Sequence, residues 1–413
     1  MSTTPGRRAN GHPGRPTGPS TGDSPEFGGV RAEASSAAPV VPSRRRATTL
    51  PPPLPRAGRP RRTLAEAFDP RSNALDLLRL LLATTVAVVH TLQIGTGRQP
   101  RTGSTDLGSL AVDAFFVLSG FLVARSYLRL NSLRRYLWHR ALRILPGFWV
   151  CLLLTALVVA PLLAVLEGRA ASSVFTGPDS ALDYLHRNAL LQIQQFGIAS
   201  LTGNSGTPDV VNGSLWTLLF EACCYGIVAG LGLLGILRRQ RWVVLVLLAA
   251  LWLLTIAATA GWNPLGSELM LRLGFVFLLG TAGHLYADRI PVRGWLAAAS
   301  LALVVVGLSA LPDHRALAGP AFAYLCLWAV VSCPWRPHLR WDLSYGTYVW
   351  HWPIAQLLFA AGLASVSAVP FVLLGLAVTA VIATASWLLV EHPALSWKNA
   401  AWVTSGPGSN RPT

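Results

Sequence analysis

From residue 74 onward the chain alternates long apolar runs with short polar breaks rich in arginine. A bilayer core of about 30 Å needs roughly 20 residues of helix to cross it. Ten runs fit that window, at 74–93, 109–128, 147–166, 213–236, 242–260, 268–287, 294–311, 316–332, 343–362 and 368–390. Backbone groups in hydrocarbon must bond within their own segment, so each run is expected as a helix. The seventh and eighth are separated only by "LPDHR" at 311–315, a very short connection. The pattern predicts an all-α, polytopic membrane helix bundle of about ten transmembrane helices.

Residues 1–63 break the pattern, with 12 Pro, 8 Gly and 11 Arg against three acidic residues. So few apolar groups do not offset the entropy of ordering, and the segment is expected as a disordered, Arg/Pro-rich tail. The domain expectation is therefore a tail at 1–63, a transmembrane domain at 64–397 and a short disordered C-terminal tail at 398–413. With no apolar stretch in the first 30 residues, no removable signal peptide is expected and the first span directs insertion.

The chain is 52% hydrophobic and only 13% charged, a composition suited to a multi-pass membrane protein and not to one soluble core. Its net charge of +16 comes without any nucleic-acid motif, so it reads as topology and implies no nucleic-acid partner. If the Arg-rich tail is cytoplasmic, the arginines at 125, 129, 134, 135, 140 and 143, "RRQR" at 238–241, Arg289, Arg293, Arg336 and Arg340 all fall in inner loops. The segment from Glu167 to Asn212, poor in arginine, then lies outside. This predicts a cell-membrane protein with both termini in the cytoplasm. The five cysteines show neither a disulfide framework nor metal spacing, and no metal site is expected.

An ionisable group at mid-membrane costs roughly 3 to 10 or more kcal/mol, so each one asks for a reason. In the first span Asp76 and Arg79, three residues apart, are placed to pair. His90 lies fourteen residues beyond Asp76, about 21 Å along the axis, near the outer end; alone it reads first as an interfacial histidine and second as a functional one. The second span puts Asp113 near the same face, where a carboxylate would orient an imidazole. Ser119 and Gly120 behind it are small enough to let helices approach.

In the fourth span Ser214, Thr217, Glu221 and Tyr225 recur at spacings of three, four and four, a polar stripe directed into the bundle or a structural seam. The ninth repeats the pattern with Ser344, Tyr348 and His351, flanked by Trp350 and Trp352. "RRYLWHRALRILPGFW" reads as an amphipathic helix ended by Pro146, with Arg140 and Arg143 on one face. Two such arginines are ordinary positive-inside charge or a forked clamp for a phosphate-bearing donor.

Taken in order, "LDLLR" with a later His, "VDAFFVLSGFLV", "HRALRILP", "SLWTLLFEACCYG", "SYGTYVWHWP" and "EHPALSW" resemble the acyltransferase 3 family, integral-membrane enzymes that O-acylate bacterial surface polysaccharides and related acceptors. The resemblance runs from about residue 73 to 397. It implies His90 as catalytic histidine, Arg140 and Arg143 as the pair associated with the acyl donor, and Glu221 as a functional glutamate, with Asp113 at the family's acidic position. It implies acyl-CoA, acetyl-CoA first among such donors, as co-substrate with no bound cofactor, and a carbohydrate or glycosylated acceptor. His90 would deprotonate the acceptor hydroxyl, with Asp113 or Glu221 orienting it. Ser119 is the candidate nucleophile should a covalent intermediate form, and Asp76, Arg79, Tyr348 and His351 are secondary candidates. The main rival is a proton-coupled secondary transporter using the same intramembrane His, Asp and Glu. It predicts repeat symmetry between the two halves, and none is found.

Overall fold

The computed structural model describes residues 62–400, apart from 104, 265, 338 and 366. Residues 1–61 and 401–413, most of the two expected tails, lie outside the described residues. Ten long helices follow the ten apolar runs: α1 (Leu75–Thr96), α2 (Leu107–Leu130), α3 (Leu133–Leu166), α4 (Thr217–Leu233), α5 (Arg241–Thr259), α6 (Glu268–Leu285), α7 (Gly294–Ala310), α8 (Arg315–Ser332), α9 (Ser344–Ala360) and α10 (Ala368–Ser386). Seven of them are long and apolar enough to cross a membrane. The others, α4, α7 and α9, have 17 residues each, about 25 Å of helix and the short end of a span. Leu253, Leu373 and Val381 stand exposed on α5 and α10, an exterior that suits lipid rather than water. The molecule is an all-α, multi-pass membrane bundle.

Two helix boundaries differ from the sequence reading. Pro146 does not end the arginine-rich helix; it sits inside α3, which runs on through a π turn at Thr155–Val159. A proline removes one backbone donor and loosens its turn, and within a bundle neighbours bond the freed groups. Two residues before the proline the Tyr345 hydroxyl of α9 donates to the Ile144 carbonyl at 2.6 Å, tying the two helices together. In the fourth span Ser214 precedes the helix, which begins at Thr217, because the Asn212 side chain takes both the Ser214 N–H and its hydroxyl. Asn212 is held there by Pro353. That residue has no N–H for the Val349 carbonyl four residues back, and the buried Asn212 amide donates to that carbonyl at 3.2 Å instead.

The centre of the bundle is α2 against α6, the two most buried of the seven long spans. Their backbones meet at glycine. A Cβ on Gly120 would lie 2.0 Å from the Phe277 carbonyl oxygen, and one on Gly280 1.9 Å from that of Val117. The packing role expected of Gly120 is thus met by direct backbone contact.

The segment between α3 and α4 folds over the far ends of α1 and α9. A short helix, Ala181–Asn188, starts in a Ser180/Asp183 capping box, and Asn188 and Gln195 bond the backbone that follows. Gly206 donates to the Ile94 carbonyl at 2.8 Å, while Trp352 and Gln356 donate to the Val210 carbonyl at 3.2 and 2.7 Å. The segment is therefore seated one helical turn beyond His90.

Candidate active site

One cavity of about 810 Å³ opens between α1, α2, α3, α4 and α9. The helical repeat decides what it sees. On α2, Phe115, Ser119, Leu122, Ser126 and Arg129 recur at spacings of four, three, four and three and all line it; on α4, Thr217, Glu221 and Tyr225 do so at spacings of four. The polar stripe expected on the fourth span is thus a cavity wall, without Ser214. At one end stand Arg79, Arg125, Arg129, Arg135, Arg140, Arg143 and Lys398. Beyond Ser386, α10 continues through a π turn at Trp387–Glu391 to Asn399. There Trp138 bonds the Trp397 carbonyl and His139 the Lys398 carbonyl, which draws Lys398 to the cavity.

Seven cations face two carboxylates, Glu221 and Asp342. The sequence reading missed Asp342, a lone acid in a basic loop. Its Oδ2 accepts from Arg143 at 2.8 Å and from Arg79 at 3.0 Å, and its Oδ1 accepts the Ser344 hydroxyl at 2.7 Å. Burial raises its pKa, but the Arg143 and Arg79 guanidiniums and the Ser344 hydroxyl outweigh burial and hold the carboxyl well below the usual carboxylate range. The expected Asp76–Arg79 pair does not form: Asp76 is exposed and Arg79 turns to Asp342. Arg140 and Arg143 both reach the cavity, stacked over Tyr225 and Tyr345 at 5.5 and 5.6 Å. They differ in how they are engaged. Arg143 is ion-paired, whereas the buried Nε atoms of Arg140 and Arg135 have no partner among the described residues.

The remaining polar lining of the cavity is hydroxylic and surrounds the Glu221 carboxylate. Thr217 Oγ1 and the Tyr348 hydroxyl are 2.6 Å apart. Glu221 Oε1 accepts the Tyr225 hydroxyl at 2.5 Å and lies 3.4 Å from the Ser119 hydroxyl. Tyr348 and Phe115, edge to face with centroids 6.2 Å apart, border this part.

His90 is not among the lining residues. It lies past Tyr348, where its Nδ1 is 2.8 Å from His351 Nε2. His351 Nδ1 is 3.1 Å from the Thr347 carbonyl, which only accepts, so that nitrogen carries the proton and Nε2 carries the lone pair. His90 Nδ1–H then donates to His351, which leaves His90 Nε2 as the base-capable nitrogen. The Trp352 ring stands edge-on to His90 at 4.7 Å, so this tryptophan packs the imidazole. The pairing joins residues 261 apart in sequence.

Neither carboxylate expected to orient His90 does so. Asp113 is fully buried, with Oδ1 taken by Arg272 Nε at 2.8 Å and Oδ2 by Arg315 Nε at 2.7 Å. It ties α2 to α6 and α8, a buried ion triad in which removing one partner generally costs about 3–5 kcal/mol. Glu221 faces Ser119 and Tyr225 instead. Arg79 and His90 are eleven residues apart on α1, about 16 Å along its axis, and Tyr348 is one helical turn from His351.

Similar proteins carry names that suit such a site. A nodulation protein 10 of Rhizobium leguminosarum bv. viciae is 29% identical over 367 residues, covering 79% of this chain and 94% of its own. An O-acetyl transferase of Shigella phage Sf6 is 26% identical over 333 residues, covering 78% and 95%. The exopolysaccharide production protein ExoZ of Rhizobium meliloti is 29% identical over 322 residues, covering 73% and 93%. No solved structure matches the chain. The model of the acyltransferase 3 family, described as an acyltransferase domain, matches residues 72–391. The protein belongs to that family and is an integral-membrane acyltransferase.

Proposed function

We propose that this enzyme moves an acyl group, with acetyl the first candidate, from acyl-CoA to a hydroxyl of a carbohydrate or glycosylated acceptor at the cell membrane. The observation that carries the reading is the cavity, with a basic end and a hydroxyl-lined part. Its volume lies within the roughly 300–1,000 Å³ usual for small-molecule sites. A CoA thioester has the matching polarity, with phosphates for the guanidiniums and a pantetheine arm for the hydroxyl-lined part. Arg140 offers a buried, unpartnered Nε, and Arg143 is presented by its bond to Asp342.

In this reading the arginine end and both termini face the cytoplasm, following the positive-inside rule. The acceptor approaches His90 from the opposite face, beneath the segment that joins α3 to α4. His90 Nε2 takes the hydroxyl proton as the acceptor oxygen attacks the acyl carbon. His351 fixes the tautomer that makes Nε2 the base. A carbohydrate acceptor is favoured by the name of one relative, an exopolysaccharide production protein, and an acetyl group by that of another, an O-acetyl transferase.

Equilibrium binding of CoA to the purified protein in nanodiscs tests the donor. A charge-assisted hydrogen bond contributes about 1.5–3 kcal/mol, so Arg140→Ala and Arg143→Ala should each weaken CoA roughly ten- to hundredfold, with added salt weakening the wild type as well. A wild type that binds no CoA, yet carries protons or solutes across the bilayer, overturns the reading.

A further inference from the structure

Ser119 and Glu221 face each other in the cavity, Oγ to Oε1 at 3.4 Å. The serine comes from α2 and the carboxylate from α4, and both line the space. A serine hydroxyl is a weak nucleophile until a base stands within reach of its proton, and such contacts are often long before the substrate binds. Glu221 is that base, and Tyr225, one turn on, holds it by donating to the same Oε1.

A third group completes the set. Thr217 Oγ1 and the Tyr348 hydroxyl, 2.6 Å apart, both line the cavity. One hydrogen lies between the two oxygens, so the other hydroxyl keeps its own for a ligand oxygen. A donor of that kind stabilises charge on a carbonyl oxygen under attack. Nucleophile, base and carbonyl-oxygen donor therefore line one cavity, with Tyr225 joining Glu221 to Arg140, whose guanidinium stacks on that ring at 5.5 Å. His90 stands beyond Tyr348 and does not line it.

We infer that Ser119 carries the acyl group as a covalent ester between donor and acceptor, an inference that rests on the acyl-CoA reading above. In the first half-reaction Ser119 Oγ attacks the thioester carbonyl carbon and its proton passes to the Glu221 carboxylate. The C–S bond breaks, and CoA leaves as a thiol with the proton Glu221 had taken. In the second, the acceptor hydroxyl gives its proton to His90 Nε2 and its oxygen attacks the Ser119 ester carbonyl. The C–Oγ bond breaks, and Oγ recovers a proton from the His90 imidazolium. The two half-reactions use different bases, which accounts for a carboxylate–serine pair and a histidine pair placed on either side of Tyr348.

The test uses full-length protein in nanodiscs and radiolabelled acetyl-CoA without acceptor, quenched rapidly in acid. Wild type should release a burst of about one free thiol per chain and retain alkali-labile label that peptide mapping places on Ser119. Ser119→Ala should bind CoA as tightly as wild type, take no label and lose at least a hundredfold in transfer. Ser119→Cys should regain label as a thioester, cleaved by neutral hydroxylamine, and Glu221→Gln should acylate more slowly. His90→Ala should take the label and keep it when acceptor is added. Transfer by wild type with no trapped label, or label that persists in Ser119→Ala, overturns the relay while leaving the acyl-CoA reading intact. Failure of wild type to bind CoA overturns both.

Discussion

His90→Ala is expected to lower acyl transfer by about 10²- to 10⁴-fold, the usual contribution of a positioned general base, without weakening CoA binding. The reason is geometric. His90 lies beyond the cavity that Arg140 and Arg143 line, so its loss removes proton transfer from the acceptor and leaves the donor contacts whole. The companion variants at His351 separate positioning from packing. His351→Gln retains an oxygen to accept the His90 Nδ1–H, and His351→Leu does not, so the first should keep clearly more activity than the second. Both should leave KM for the donor unchanged and act on kcat. Equal losses in the two variants would mean that His351, buried against Trp352, fills space and does not set the tautomer.

Gly120→Val should abolish the folded bundle. A Cβ at this position meets the Phe277 carbonyl oxygen at 2.0 Å and the Thr281 nitrogen at 3.0 Å; these are backbone atoms of α6, which no side-chain rotation relieves. Parting α2 from α6 also opens the reciprocal contact at Gly280, breaks the Thr281 bond to the Gly120 carbonyl and strains the Asp113–Arg272 pair between the same helices. Size-exclusion chromatography in detergent should show aggregate in place of a monodisperse peak. Gly226→Ala makes the control. An added Cβ there meets nothing within 4 Å, and alanine favours helix by up to about 1 kcal/mol, so that variant should be at least as stable as wild type. A folded, active Gly120→Val would show that the α2–α6 contact is looser than described.

The contrast between these sites shows what the sequence could carry. Ten apolar runs located ten helices, because the bilayer admits little other than helix across its core. The Thr217, Glu221 and Tyr225 stripe was legible for the same reason: within one helix, spacing fixes face. What spacing leaves open is which helix lies opposite. His90 found His351, Asp113 found Arg272 and Arg315, and Arg79 found Asp342, each across more than 150 residues of chain. One signal for the second pairing was present, since an arginine such as Arg272 inside an apolar run needs an acid to face it. Pro146 and Ser214 misled in the opposite sense. Pro146 stays inside α3, and Ser214 falls short of α4 because Asn212, itself held by the Val349 carbonyl 137 residues away, takes its hydroxyl.

In acyl transfer from CoA, ester formed on the acceptor equals thiol released from the donor. The balance is measured with purified protein in nanodiscs, radiolabelled acetyl-CoA and lipid-extracted bacterial glycans, counting alkali-labile label on the glycan against free CoA thiol. One thiol per ester is expected after the first turnover, whereas His90→Ala forms no ester on glycan and releases no thiol beyond the one of its own acylation. Thiol release by wild type without any ester on glycan, or ester formation that persists in His90→Ala, would contradict this mechanism.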